Sequence, residues 1–336
     1  NGMAQGSYPI NSGGGVYFYD SSPSLVSITI NGNSSTGDMS YGGGIYCYES
    51  SPYLENVYIS GNSASNEGGG IRCSSYSNPR LNDVTITDNS AYNGGGLDCS
   101  SSSPILIDVT ITANSASNNG SGIYCSQSNS SLMDVIISDN TASADGGGIY
   151  IYDSNPEFDN VVIDNNTAVD KGGGLYLQGS DIEINGILIH NNIASEGAGI
   201  YVANNSGTVP DILNCTITGN IISDDSGESG ISATRGNISN CIIWDNTGGE
   251  GPISHPNTNY TEITYCDIDM DIPGEGNINA DPLFCNPDSS DYALAENSPC
   301  VGTGQGGANM GAYGIGCEAY SGPTWHVSTS GSDEND

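Results

Sequence analysis

GGGIYCYESSPYLENVYISGNSAS, residues 42–65, decides the fold, because the chain repeats it. Near copies begin at Gly68, Gly94, Gly146 and Gly172, with looser ones between and beyond. The last Gly of each Gly-rich turn falls at Gly15, Gly44, Gly70, Gly96, Gly122, Gly148, Gly174, Gly199 and Gly230, in steps of 29, 26, 26, 26, 26, 26, 25 and 31 residues. A second mark is an Asn that closes an apolar run. It stands in all nine units, at Asn33, Asn62, Asn89, Asn114, Asn140, Asn166, Asn192, Asn220 and Asn246. A fixed period of this size is the signature of a solenoid.

Inside each unit the period is two. Ile45 and Cys47, Ile123 and Cys125, Ile149 and Ile151, and Leu175 and Leu177 alternate after the Gly turn. A second apolar set follows, such as Leu54, Val57 and Ile59, or Phe158, Val161 and Ile163. Alternating β-branched residues between Gly, Ser, Asn and Pro punctuation predict short strands with one buried face. No segment carries a helical period. Units of two or three short strands and no helix describe an all-β chain, a parallel β-helix. Its coils stack at about 4.8 Å, and the crossover rule favours right-handed winding. Ile263, Cys266 and Ile268 continue the columns of Ile238, Cys241 and Ile243, so about ten coils are expected, spanning residues 1–276.

Stacking turns equivalent residues into columns. One inward column reads Phe18, Cys47, Cys73, Cys99, Cys125, Ile151, Leu177, Val202, Ala233, which places four thiols in a dry core as small hydrophobes. Metal ligation and disulfide pairing along the column are the alternatives. Cys215, Cys241 and Cys266 form a second column of the same kind. The Asn column belongs at a sharp turn, where an amide both donates and accepts and tolerates unusual backbone angles. The Gly triplets mark another corner.

Composition narrows function. The 336 residues include 39 acidic and 4 basic ones, a net charge of −35. That charge repels phosphate backbones and anionic membranes, so no nucleic acid is expected as a partner. No stretch approaches the roughly 20 apolar residues of a membrane helix, so no membrane insertion is expected. The chain opens without an initiator Met and reads as a processed or truncated piece of something longer.

GGGIY followed by an apolar run ending in I-x-x-N-[ST]-A resembles the repeats of polymorphic outer membrane proteins. It resembles still more the broader group of secreted bacterial right-handed parallel β-helix repeat proteins, over residues 13 to about 270. Ile or Val stands here for the Phe before x-x-Asn, and Gly usually for Ala. These motifs are structural, so the resemblance transfers no functional residue. Residues 277–317 are similar to the terminal segment of anchor-bearing surface β-helix proteins, through Asp281-Pro282-Leu283-Phe284, Asn297-Ser298-Pro299 and Gly311-Ala312-Tyr313. The resemblance implies a C-terminal cap over residues 277–320. It also implies that residues 321–336 are a linker or the first strand of a following domain, from Thr324 onward. In the cap, Cys285 and Cys300 lie off the columns and form a candidate disulfide. Cys317 has no evident partner.

A lyase acting on uronates needs a base and a cation to neutralise the carboxylate. The basic residues, Arg72, Arg80, Lys171 and Arg235, and the histidines, His190, His255 and His326, are scattered, with His190 expected to point outward. A hydrolytic carboxylate pair about 5–9 Å apart could arise only across coils. An enzyme is therefore not expected. A candidate binding strip is the outward column Tyr17, Tyr46, Arg72, Asp98, Tyr124, Tyr150, Tyr176, Tyr201, Ser232, whose six Tyr could meet sugar rings or a partner, or simply stack. Thr pairs on another face, such as Thr85 and Thr87, are too interrupted for ice binding. Asp267, Asp269 and Asp271 alternate as in Ca²⁺ loops but lack the following Gly and the twelfth-position Glu. The acidic turns at Glu67, Asp145, Asp170, Glu196 and Glu228 are further candidate Ca²⁺ ligands. No cofactor is required.

The sequence thus predicts a structural or adhesive protein outside the bacterial cell or on its surface. It would be a stiff rod that displays surface or assembles end to end with itself through the tail strand. Binding of surface glycans on the Tyr column is the alternative, and polysaccharide cleavage the lesser one.

Overall fold

A computed structural model describes residues 2–5, 11–203, 209–224, 227–233, 235–254 and 261–322. His255, His326 and the tail from Thr324 lie outside them. The chain forms a parallel β-helix of three long sheets. The first, ten strands from Val16–Tyr19 to Gly251–Ile253, follows the Gly turns. The second runs from Ser24–Val26 and Thr29–Asn31 through eight-residue strands such as Tyr53–Ser60 to Asp267–Ile268. The third joins nine short strands from Met3–Gln5 to Ile221–Ile222. Met3–Gln5 belongs to a turn before the first complete coil, so the helix makes about eleven turns.

Register holds residue for residue. Phe18 pairs with Cys47, then Cys73, Cys99, Cys125, Ile151, Leu177, Val202 and Ala233, all in the core. The neighbouring thiol in the column first, then burial, pushes Cys73 and Cys125 well above their ordinary pKa, and burial first does so for Cys99, so all three stay protonated. Cys215, Cys241 and Cys266 are buried in the same core.

The long strands bend once. Leu54, Val57 and Ile59 all point inward, which period two alone forbids between 54 and 57. The extra residue, Asn56, takes a left-handed conformation (φ 51°), and so do Asp83, Asp108, Asp134 and Asn160 one coil after another. Asn and Asp tolerate that region best after Gly. From residue 183 the bend becomes a break: Glu183–Asn185 and Leu188–His190 are separate strands, and the former opens a four-stranded sheet of its own.

Two buried side-chain columns bind coil to coil. Each ladder Asn from Asn33 to Asn220 donates both its backbone N–H and its amide to Oδ1 of the next Asn. For example, Asn140 reaches Asn166 at 3.0 and 2.9 Å. The same amide also reaches an Ile carbonyl of the preceding coil, Ile111 at 3.0 Å. At another corner the N–H groups of Ser50, Ser77, Ser128 and Ser154 donate to Oγ of Ser77, Ser102, Ser154 and Ser180.

The terminal segment is placed differently from an end cap. Residues 275–278 cross the last coil, where Tyr265 N–H bonds the Glu275 carbonyl and Ile278 N–H the Cys266 carbonyl. The chain then turns back along the flank. Phe284–Asn286, Asp291–Ala295 and Ile315–Cys317 make a small sheet over the outward face of the second long sheet. Leu294, Cys300 and Met310 cluster there with Ile242, partly covering Trp244. Ala312 N–H donates to Thr216 Oγ1, and Gln305 N–H to Asn240 Oδ1. The cause lies in these coils: they carry outward apolar groups, Leu188, Ile242 and Trp244, that need a cover. For the same reason His190 is 2% exposed rather than pointing into solvent, packed 5.1 Å from the Tyr292 ring. The disulfide is Cys285–Cys317, not Cys285–Cys300. Cys300 lies buried on the inner side of the segment, its Sγ–H donating to Asp267 at 2.9 Å, while Cys285 and Cys317 face each other across the small sheet.

Candidate functional site

The outward Tyr column assembles as expected from register, but its rings are turned edge-on. Tyr124 and Tyr150 stack at 5.1 Å and 4°, Tyr150 and Tyr176 at 4.6 Å and 6°, Tyr176 and Tyr201 at 5.3 Å and 22°. Tyr17 and Tyr46 form a second stack at 5.1 Å and 11°. These separations are close to the strand spacing, so each ring face is covered by the next ring. Tyr46, Tyr150 and Tyr176 are buried, and what reaches the surface is ring edge and hydroxyl. The hydroxyls are engaged in part: Tyr46 Oη lies 3.0 Å from Ser74 Oγ, and Tyr150 Oη donates to Gln178 at 3.1 Å. Burial first, then the neighbouring phenol, pushes Tyr124 to about 12. Within the stacks the inner ring faces are thus covered, and edges and hydroxyls are what they turn to solvent.

Between the stacks sit Arg72 and Asp98, an ion pair in the same column. Arg72 also reaches Glu67 at 2.8 Å and Ser100 at 2.8 Å, with its guanidinium over the Tyr41 ring. At the far end Lys171 contacts Glu196 at 2.7 Å and the Tyr201 hydroxyl at 2.8 Å. Both cations are thus spent on neighbours within the strip. Of the acidic turns, Glu67 and Glu196 serve these ion pairs. Asp145 accepts the Lys171 backbone N–H at 3.1 Å and is pushed up to about 6 by burial and by Asp170.

Asp267, Asp269 and Asp271 do not converge. Asp267 is fully buried under the flanking segment, holding Cys300 and the Ala280 N–H. Asp269 and Asp271 are exposed, and Asp271 accepts from Asn279 at 3.2 Å. No cluster of three or more His, Cys, Asp or Glu side chains poised for a metal ion occurs among the described residues.

Sequence reasoning missed the Ser column, although S-x-P recurs before four of the five eight-residue strands, with Ser128-Asn129-Ser130 before the other. It also missed a cleft of about 640 Å³ between the flanking segment and the coils that carry Thr218 and Trp244. Only the fold brings those residues together.

Comparison with known proteins agrees with this architecture. Residues 10–168 match the family model described as "Right handed beta helix region". Residues 107–247 match the one described as "Periplasmic copper-binding protein (NosD)". A solved structure, "Crystal structure of pectate lyase Pel9A", superposes with a TM-score of 0.53 at 15% identity, covering 81% of this chain and 73% of that one. At that identity the likeness is one of fold. No curated protein matches the sequence. The chain is a right-handed parallel β-helix repeat protein, and no described helix is long and apolar enough to cross a membrane.

Proposed function

We propose that this chain is a rigid, non-catalytic β-helix rod that works outside the cytoplasm as a structural or adhesive surface element. The observation that carries the reading is the state of the side chains. The Asn, Ser and Tyr columns are spent on copies of themselves one coil away, and Arg72 and Lys171 on carboxylates beside them. Such saturation serves axial stiffness and leaves neither cation to neutralise a uronate. The fold shared with a pectate lyase thus appears here without a basic constellation among the residues described. The Cys285–Cys317 bond supports an oxidising compartment, as does the periplasmic description of the family matched by residues 107–247. The resemblance of the repeats to those of polymorphic outer membrane proteins agrees with display at a surface.

Electron microscopy of the purified protein, paired with incubation on polygalacturonate and on neutral polysaccharides, tests this. Rods on the order of 50 Å long, alone or joined end to end, with no new unsaturated or reducing ends, are expected. Steady release of either kind of sugar end, abolished by Arg80→Ala or Arg235→Ala, would replace the reading with an enzymatic one. Loss of end-to-end rods in chelator would bring Ca²⁺ to the junctions.

A further inference from the structure

The coils carry a cleft of their own, about 670 Å³ around Pro156, Phe158 and Ile182, but the cleft on the flank is the one lined by both a Trp and a Tyr of different segments. Its floor is Thr218 and Trp244, which occupy the outward position one coil apart. One wall is the corner column Asn191, Gly219 and Asp245. Asn191 and Asp245 hold the left-handed conformation of this corner as Gly219 does (φ 55°, 55° and 63°), and Gly219 leaves the wall between them without a side chain. The other wall is the loop around Asp281, Asn286 and Asp288, fastened at Cys285 by the disulfide to Cys317.

Tyr320 closes one side. Its backbone is pinned in both directions by Asn297, which accepts from Tyr320 N–H at 2.7 Å and donates to its carbonyl at 2.9 Å, yet its ring is 53% exposed. With its backbone held by Asn297, Tyr320 presents a ring open to water at the mouth of a cleft, where a ligand's apolar face could lie against it. The volume is in the range of small-ligand sites, roughly 300–1,000 Å³. Among the described residues no Lys, Arg or His lines it, whereas three carboxylates, Asp245, Asp281 and Asp288, do. Burial first, then the charges of Asp164, Asp245 and Asp288, raise the Tyr292 phenol above its ordinary pKa. The three carboxylates repel an anionic ligand, a uronate included. The mixture of Trp and Tyr rings with amides, hydroxyls and carboxylates suits a polyhydroxylated ligand without acidic groups.

We propose that this cleft, between Trp244 on the coil and Tyr320 on the flanking segment, binds an oligosaccharide made of neutral or amino sugars. The site goes beyond the rod reading. It would let the rod hold a glycan at its C-terminal flank, and not along the Tyr column.

Trp244 reports on it directly. In a Trp325→Phe background it is the single Trp, because the chain has two. Emission is titrated with cellohexaose, xylohexaose, mannohexaose, the hexamer of N-acetylglucosamine and that of glucosamine, beside hexagalacturonate and choline chloride. Saturable change with at least one of the first five is expected, with none from hexagalacturonate. Tyr320→Ala should weaken it by about tenfold or more with the melting temperature unchanged, since that ring is largely exposed. Asp245→Asn should weaken it as well. Silence with all five sugars would overturn the proposal. So would binding indifferent to Tyr320→Ala and Asp245→Asn, or a response to hexagalacturonate or to choline alone. Rods seen by microscopy would be unaffected by any of these outcomes, so failure of the cleft and failure of the rod reading are separately visible.

Discussion

The regular coils and the flanking segment solve the same problem by opposite means. In the coils a polar group finds its partner in its own copy: Asn114 in Asn140, Asn140 in Asn166, Ser128 in Ser154. In the segment each partner is of another kind. Cys300 meets Asp267, Ala312 meets Thr216, and Gln305 meets Asn240 from 65 residues away. Repetition makes the first kind of contact independent of position along the rod. The second kind is specific to one place, and it is there that Trp244 and Tyr320 come to line one cleft.

The largest effect should come from breaking a column within the coils. Asn140→Ala leaves the Asn114 N–H without its acceptor, and takes one bond from the Asn114 amide, which keeps the Ile86 and Thr112 carbonyls, and one from the Ile111 carbonyl. An orphaned buried N–H costs about 1–3 kcal/mol, and each lost hydrogen bond about 1 kcal/mol. A loss of about 4 kcal/mol in denaturant unfolding is expected. A loss below about 1 kcal/mol would show that the column is ornament to a fold held by its apolar core.

Next comes the segment. Cys285→Ser opens a loop whose ends are 32 residues apart, worth about 3.5 kcal/mol in the entropic account. That loss should fall on the segment alone: proteolysis after residue 281 becomes fast while the coils keep their strand signal and melting. If the whole rod melts earlier by the same amount, the two regions are one cooperative unit and the contrast drawn above fails.

Tyr150→Ala tests what the outward stack is for. It removes a ring wedged between two others at 5.1 and 4.6 Å, and about 2–3 kcal/mol of stability. Loss of glycan binding with stability intact would restore the strip as a recognition surface.

The comparison also explains what could be read in advance. A period of 26 residues announces columns, and with columns come the core Cys, the ladder Asn and the stacking Tyr, because in-register coils leave one neighbour to choose from. The orientation of the Tyr rings was not legible, since period two fixes the side of the sheet and not the tilt of a ring. Nor was the partner of Cys285. Non-repeating contacts have no period, so nothing in the spacing of Cys285, Cys300 and Cys317 distinguishes which one turns under the segment toward Asp267. The burial of His190 was hidden for the same reason: its cover, Tyr292, is 102 residues further along the chain.

The smallest expected effect, and the one that separates the regions most finely, is on pH. Asp145 in the coils and Asp267 beneath the segment are both pushed up to about 6, chiefly by burial, against about 3.9 in an unfolded chain. Between those values the folded protein binds protons that the unfolded one does not. Each group therefore adds stability as pH falls through 6 and loses it again as pH rises. His190 works the other way. Burial lowers it to about 4, so below roughly 6.5 the unfolded state takes up the proton first and stability falls. Two carboxylates against one imidazole leave a net gain, and the denaturation midpoint should be higher at pH 5 than at pH 8. Relief of repulsion among 39 acidic side chains pushes in the same direction, so the decisive quantity is a difference. Asp267→Asn keeps an acceptor for the Ala280 N–H but cannot ionise, and should narrow the gap between pH 5 and pH 8 by raising the midpoint at pH 8. Asp145→Asn should do the same from the opposite region. An unchanged gap in both variants would mean that general charge, and not these two buried carboxylates, sets the response to acid.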